Sequence, residues 1–169
     1  MHTLKLINFG ITALTGLPAL ATCSSLRVLE LGVAHLLDGV AALARFTQLH
    51  KFTLRGCTEL TDCSIFAGWS SLSSLSLSNC LRLGDVTALA TCTSLRALHL
   101  ERCNELTDVS ALARCPALQQ LLVMSCPGID SSAVRNIPLQ GRNALHKLEA
   151  VNIPRRPGWR GRGNREHTL

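Results

Sequence analysis

Leucine and its apolar substitutes return along this chain at a fixed step. Leu26, Leu49, Leu72, Leu95 and Leu118 stand 23 residues apart. Three positions after each comes Leu29, Phe52, Leu75, Leu98 or Leu121, and two further on Leu31, Leu54, Leu77, Leu100 or Val123. Apolar and polar positions alternate over each stretch, which predicts a short strand with one face turned inward. Three positions beyond the strand stands Ala34, Cys57, Cys80, Cys103 or Cys126. Leu106, Val109 and Leu112 then recur at a spacing of three, which predicts a 3-10 or short α turn carrying the chain back behind the strand. Asp62, Asp85 and Asp108 precede these turns, with Thr at 61 and 107, where a side-chain oxygen can accept from free backbone N–H groups.

Residues 95–117, LRALHLERCNELTDVSALARCPA, state the unit most fully. A first copy fills 1–25 with two extra residues, and a partial last copy begins at Leu145 after a four-residue expansion of the sixth. A period of about 20–29 residues with L-x-x-L-x-L-x-x-(N/C)-x-L is the leucine-rich-repeat signature. The expected fold is therefore an α/β leucine-rich-repeat solenoid over residues 1–153, of about six full repeats plus one partial. It has a parallel sheet on its concave side and short 3-10 or α turns on its convex side. Each unit buries its leucines only against its neighbours, so stability accumulates along the stack. The run LTDVSALA resembles the LTDISPLA of bacterial internalin-type repeats. It is still more similar to the Cys-bearing 23-residue repeats of kinetoplastid leucine-rich-repeat proteins. The repeated Cys also resembles that of F-box repeats, although those are longer. These relatives are interaction scaffolds, so the resemblance implies a protein partner without naming one.

Composition sharpens this picture. Hydrophobic residues make up 47% and charged residues 17%, which excludes a disordered body. Aromatics are only 4%, with no Tyr, so the core must be layered from Leu, Ala, Val and Cys. Of the net charge of +6, residues 155–169 hold +4, from five Arg and one Glu. The body is nearly neutral, and residues 154–169 read as a basic, Gly/Arg-rich disordered tail. Arg–Gly sequence around Trp159 can hold RNA by phosphate attraction and stacking, or can simply be a solvated end.

Lys5, an uncharged run from Leu6 to Cys23 and Ala19-Leu20-Ala21 imitate a secretory signal within residues 1–21. The run also fits the repeat register, and Ala-Leu-Ala recurs at 42–44, 88–90 and 111–113. Asn8, Gly10, Gly16 and Pro18 interrupt it, against a membrane-spanning helix. Met1 falls inside the first repeat and the last repeat stops after one strand, as expected of a piece of a longer repeat array.

The cysteines repeat too. Cys57, Cys80, Cys103 and Cys126 share the position after the strand, and Cys23, Cys92 and Cys115 share one with Phe46 and Trp69. A position that accepts Phe and Trp is an apolar slot, where a thiol is a small inert hydrophobe. At the first position the thiol can donate weakly to a turn carbonyl. No C-x2–4-C pair offers a zinc site, and seven thiols in inert slots fit a reducing compartment, cytoplasmic or nuclear. The six His show no metalloprotease spacing, and there is no phosphate-binding loop, dinucleotide fingerprint or nucleophile elbow. The expectation is a chain that is not an enzyme and uses no cofactor.

Binding is expected on the concave face, lined by the outward positions of the strands. Lys51 and Arg55 form a basic spot, Ser74, Ser76 and Ser78 a bland strip, and His99 and Glu101 a mixed one. Leu122 and Met124 form an apolar spot, free for a partner or covered by the last repeat or the tail. Lys147, Glu149 and Val151 would continue the row. The candidate partner-binding residues are Lys51, Arg55, His99, Glu101, Leu122 and Met124. The leading function is a protein-interaction scaffold. Alternatives are the substrate-recognition arm of an F-box-type ubiquitin ligase, which needs further N-terminal sequence, and an RNA-binding accessory acting through the tail.

Overall fold

The computed structural model describes residues 2–6, 17–32, 40–141 and 145–149. The basic tail and most of the signal-like run lie outside them. Seven strands follow the repeat: β1 (Thr3–Leu6), β2 (Val28–Leu31), β3 (Lys51–Arg55), β4 (Ser74–Ser78), β5 (Ala97–Glu101), β6 (Gln120–Met124) and β7 (Leu145–Glu149). They form one sheet, parallel throughout and in chain order. Like positions of successive repeats face each other, so Leu29, Phe52, Leu75, Leu98 and Leu121 make one buried file. Leu31, Leu54, Leu77, Leu100 and Val123 make the second.

Behind the strands run α1 (Leu17–Leu20), α2 (Val40–Leu43), 3-10 turns at Ser64–Phe66, Thr87–Thr91 and Ser110–Arg114, and α3 (Ser131–Arg135). Leu89 and Leu112 drop from these turns into the core, as do Leu106 and Val109 just before them. Asp62, Asp85 and Asp108 cap the 3-10 turns as their spacing suggests. Each carboxylate accepts from the N–H two residues on, Ser64, Thr87 and Ser110, at 2.8, 2.7 and 2.7 Å. Asp130 does the same for Ser132 at the start of α3, at 2.8 Å. A second parallel contact joins adjacent caps, with Cys63 N–H donating to the Asp85 carbonyl at 3.0 Å.

Hydrogen bonds from Ser64, Thr87, Ser110 and Ser132 hold all four carboxyls below the ordinary Asp range. A depressed folded-state pKa gives stability that is full above the unfolded value, about 3.9, and is lost as pH falls below it. The thermal midpoint is therefore expected to hold steady from neutral pH to about 5 and to fall below about 4. Asn at all four positions keeps an acceptor but cannot titrate, so melting curves of that variant should lose much of this acid step.

The residue that follows each of β3 to β6 turns left-handed: Gly56, Asn79, Arg102 and Ser125 have φ of 71, 55, 51 and 51°. One is glycine and one Asn, the residue types that tolerate this region best. The turn starts the thiol file, whose Cys57, Cys80, Cys103 and Cys126 are all buried.

The last strand departs from the leucine spacing. β7 pairs Gln120 with Leu145, Leu121 with His146 and Val123 with Leu148. The last repeat thus starts two residues earlier than Leu145-to-Leu148 spacing implies, and the sixth is expanded by two residues, not four. Its return segment contains an α-helix, which rises only about 1.5 Å per residue against about 2.0 Å for a 3-10 turn. Extra residues are absorbed there without lengthening the layer. The concave row consequently continues at register positions 145, 147 and 149, and Val151 lies outside the described residues.

Candidate functional site

Because strand residues alternate, each layer presents its odd positions on the concave face. The structure brings together the sequence-derived candidates as three parallel rows. One row holds Lys51, Ser74, Ala97 and Gln120; the next Thr53, Ser76, His99 and Leu122; the third Arg55, Ser78, Glu101 and Met124. The small side chains of β4 leave a shallow trough of about 310 Å³, bordered by Lys51 and Arg55 on one side and His99 and Leu122 on the other. Glu101 and Met124 flank it and do not line it.

Charge on this face is partly spent internally. Glu30 is held by Lys5 at 3.2 Å and by Lys51 at 3.9 Å. Arg55 is exposed and has no ion pair among the described residues. His99 Nδ1 lies 3.4 Å from the Ser76 hydroxyl, while its Nε2 is buried with no hydrogen-bond partner among the described residues. A polar atom in that state typically destabilises by about 1–3 kcal/mol relative to a bonded one. Burial lowers the His99 pKa, with Arg55 acting in the same direction and Glu101 against it. The ring is therefore neutral at pH 7. Leu122 and Met124 are half-buried, because β5 and β7 flank them on both sides. Among the described residues the one exposed large hydrophobic is Leu81, at 41%, a single side chain that needs no special account.

The cysteines fill core slots, with one correction. Cys57, Cys63, Cys80, Cys92, Cys103, Cys115 and Cys126 are buried, but Cys23 is exposed. Cys63, unassigned from its spacing, takes the slot of Val86 and Val109 in the next two layers. The thiols donate weakly to carbonyls: Cys92 to Phe66 at 3.2 Å, Cys115 to Leu89 at 3.4 Å and Cys126 to Met124 at 3.4 Å. Burial pushes Cys80 up to about 12 and Cys115 up to about 11. Between Cys103 and Cys126 a shared thiol hydrogen bond raises the first and lowers the second, so the pair cannot ionise together. Inaccessible thiols are poor nucleophiles. An aromatic disulfide reagent is expected to titrate one of the eight cysteines in the folded chain and all eight in guanidinium. Release of three or more thiols without denaturant would contradict the buried files.

Among the described residues no three His, Cys, Asp or Glu side chains are grouped to hold a metal ion.

A parallel sheet in chain order, with one short helical return per strand, defines a repeat solenoid whose open surface is the sheet. Residues 70–114 match the family described as Leucine Rich repeats (2 copies), and the fold is that of a leucine-rich-repeat solenoid. Its fold is similar to that of an internalin from Listeria monocytogenes. The two are 24% identical over 70% of this chain and 34% of that one, with a TM-score of 0.53. The match thus spans about a third of the internalin's length. Internalin C2 from the same species is 21% identical over 87% of this chain and 80% of that one, with a TM-score of 0.46. No curated protein matches the sequence.

Proposed function

We propose that the chain is a non-catalytic scaffold that binds a protein partner on its concave face, through Lys51, Arg55, His99, Glu101, Leu122 and Met124. The observation that carries this reading is the side-chain array itself. A rigid parallel sheet holds an uncompensated Arg55, an unsatisfied His99 nitrogen and half-buried Leu122 and Met124 within four adjacent strands. Solenoids present such rows side by side on a stiff backbone, so a partner meets many of them at once with little ordering cost. The buried, unpaired thiols support work in a reducing compartment, cytoplasmic or nuclear. Among the described residues no helix is long and apolar enough to cross a membrane.

The test compares capture from a lysate by the wild-type chain and by a Lys51→Glu, Arg55→Glu, Leu122→Ser, Met124→Ser variant with an unchanged circular dichroism spectrum. A protein retained by the first and lost by the second is expected. Equal capture by both would move binding to another surface and overturn the reading.

A further inference from the structure

We infer that the trough over β4 takes an extended, acidic segment of the partner, with a carboxylate seated on Arg55 at the β3 edge of the trough and an apolar side chain seated on Leu122. The inference rests on the concave-face reading and adds to it the chemistry of the occupant.

Charge comes first. Glu30 already has two lysines, so its charge is compensated from within the chain. Arg55 has none, and its guanidinium presents donors in a fork that matches a carboxylate in two contacts. Lys51 borders the same trough and adds positive potential, since its bond to Glu30 is long at 3.9 Å. Among the described residues no acidic side chain lines the trough besides Glu30.

The hydrogen-bonding groups agree. Thr53, Ser74 and Ser76 line the trough and can donate hydroxyl protons. A cationic segment would instead meet Arg55 and Lys51, where Glu30 is already engaged by two lysines and Glu101 only flanks the trough.

The spacing sets the pattern of the segment. From β3, which carries Arg55, to β6, which carries Leu122, there are three interstrand steps, or about 14 Å. An extended peptide crossing the strands covers that distance in about four residues, and side chains four apart point the same way. The motif expected is an acidic residue and an apolar one at positions i and i+4. The β4 serines between them leave room for the intervening backbone.

The experiment uses the full chain and a fluorescein-labelled peptide, Glu-Glu-Ser-Ser-Ser-Leu-Ser, read by fluorescence polarisation in about 0.15 M salt. A Lys-Lys-Ser-Ser-Ser-Leu-Ser peptide and a peptide with Ser in place of Leu are the comparisons. Saturable binding of the acidic peptide is expected, weakened at least about tenfold by Arg55→Glu, by Lys for Glu in the peptide, and less by Leu to Ser. His99→Ala, which removes one wall of the trough, is expected to weaken it as well, in a variant with an unchanged circular dichroism spectrum. Failure of the wild type to bind the acidic peptide, equal binding of the lysine peptide, or undiminished binding by Arg55→Glu would each overturn the inference. The concave-face reading is tested separately: a partner cross-linked to the sheet face while this peptide fails would leave that reading intact and sink only the acidic occupant.

Discussion

Trp69→Ala is expected to destabilise the chain by about 3–5 kcal/mol, the usual range for removing a buried aromatic ring. Trp69 is fully buried and packs edge-on against Phe66 at 5.1 Å and Phe52 at 5.6 Å between ring centroids. These three rings join the strand file to the return file in the third layer, so losing Trp69 opens the contact between the two sides of that layer. A second substitution separates volume from polarity. The indole Nε1 is buried without a hydrogen-bond partner among the described residues, so Trp69→Phe gives up no hydrogen bond. Phe46 already fills the same slot one layer earlier. Trp69→Phe is therefore expected to lose less than half as much as Trp69→Ala. Urea unfolding followed by circular dichroism measures both, and an alanine variant within about 1 kcal/mol of the wild type would contradict the packing described.

Gly128→Ala is the second large effect, expected to destabilise by about 1–3 kcal/mol as overpacking does. A Cβ at Gly128 would stand 2.5 Å from the Leu106 carbonyl oxygen and 3.0 Å from Cγ2 of Thr107. The nearest atom is backbone of the preceding layer, which cannot rotate out of the way. The sixth layer must then lift off the fifth, taking the Cys126 thiol from the Leu100 carbonyl, 3.9 Å away. Gly84→Ala is the matched control, since a Cβ there meets nothing nearer than the Glu105 carbonyl at 3.6 Å. Thermal melts should place Gly84→Ala close to wild type and Gly128→Ala well below it. Equal midpoints for the two variants would mean that the layers are not stacked this closely at Gly128.

Much of the fold was legible because one constraint writes the sequence. A layer 23 residues long must place its Leu, Cys and Asp at the same steps as its neighbours, and Leu98, Cys103 and Asp108 announce their positions through Leu75, Cys80 and Asp85. Legibility fails where burial departs from spacing or the layer changes length. Cys23 has the spacing of a core thiol and is nonetheless exposed. LHKLE offers Leu145 and Leu148 to two registers, and pairing along the strand, which spacing alone does not see, chooses Leu148 opposite Val123. The Asp130 cap was hidden because it stands one residue ahead of the position Asp108 sets. Gly128 carried no signal either, since Arg82 and Glu105 occupy its place in other layers.

The candidate site was legible as a list of outward positions and illegible as a surface. Alternation named Lys51, Arg55, His99, Glu101, Leu122 and Met124. It could not show that Lys5 joins Lys51 on Glu30, leaving Arg55 as the uncompensated cation, because Lys5 lies 25 residues from Glu30 in a layer of altered length. Nor could it show that β4 is a trough and not merely a bland strip. The same small serines that looked uninformative in sequence are what make room between Arg55 and His99.

The most direct test of the concave-face reading places a photo-cross-linking amino acid at one of two positions in otherwise unchanged chains. Ser74 lies in the trough on β4, and Ala113 is exposed on the return turn behind β5. On irradiation in lysate, a discrete adduct from position 74 with none of the same mass from position 113 is the result the account predicts. The same adduct from position 113 and none from position 74 would place the partner behind the sheet and contradict it.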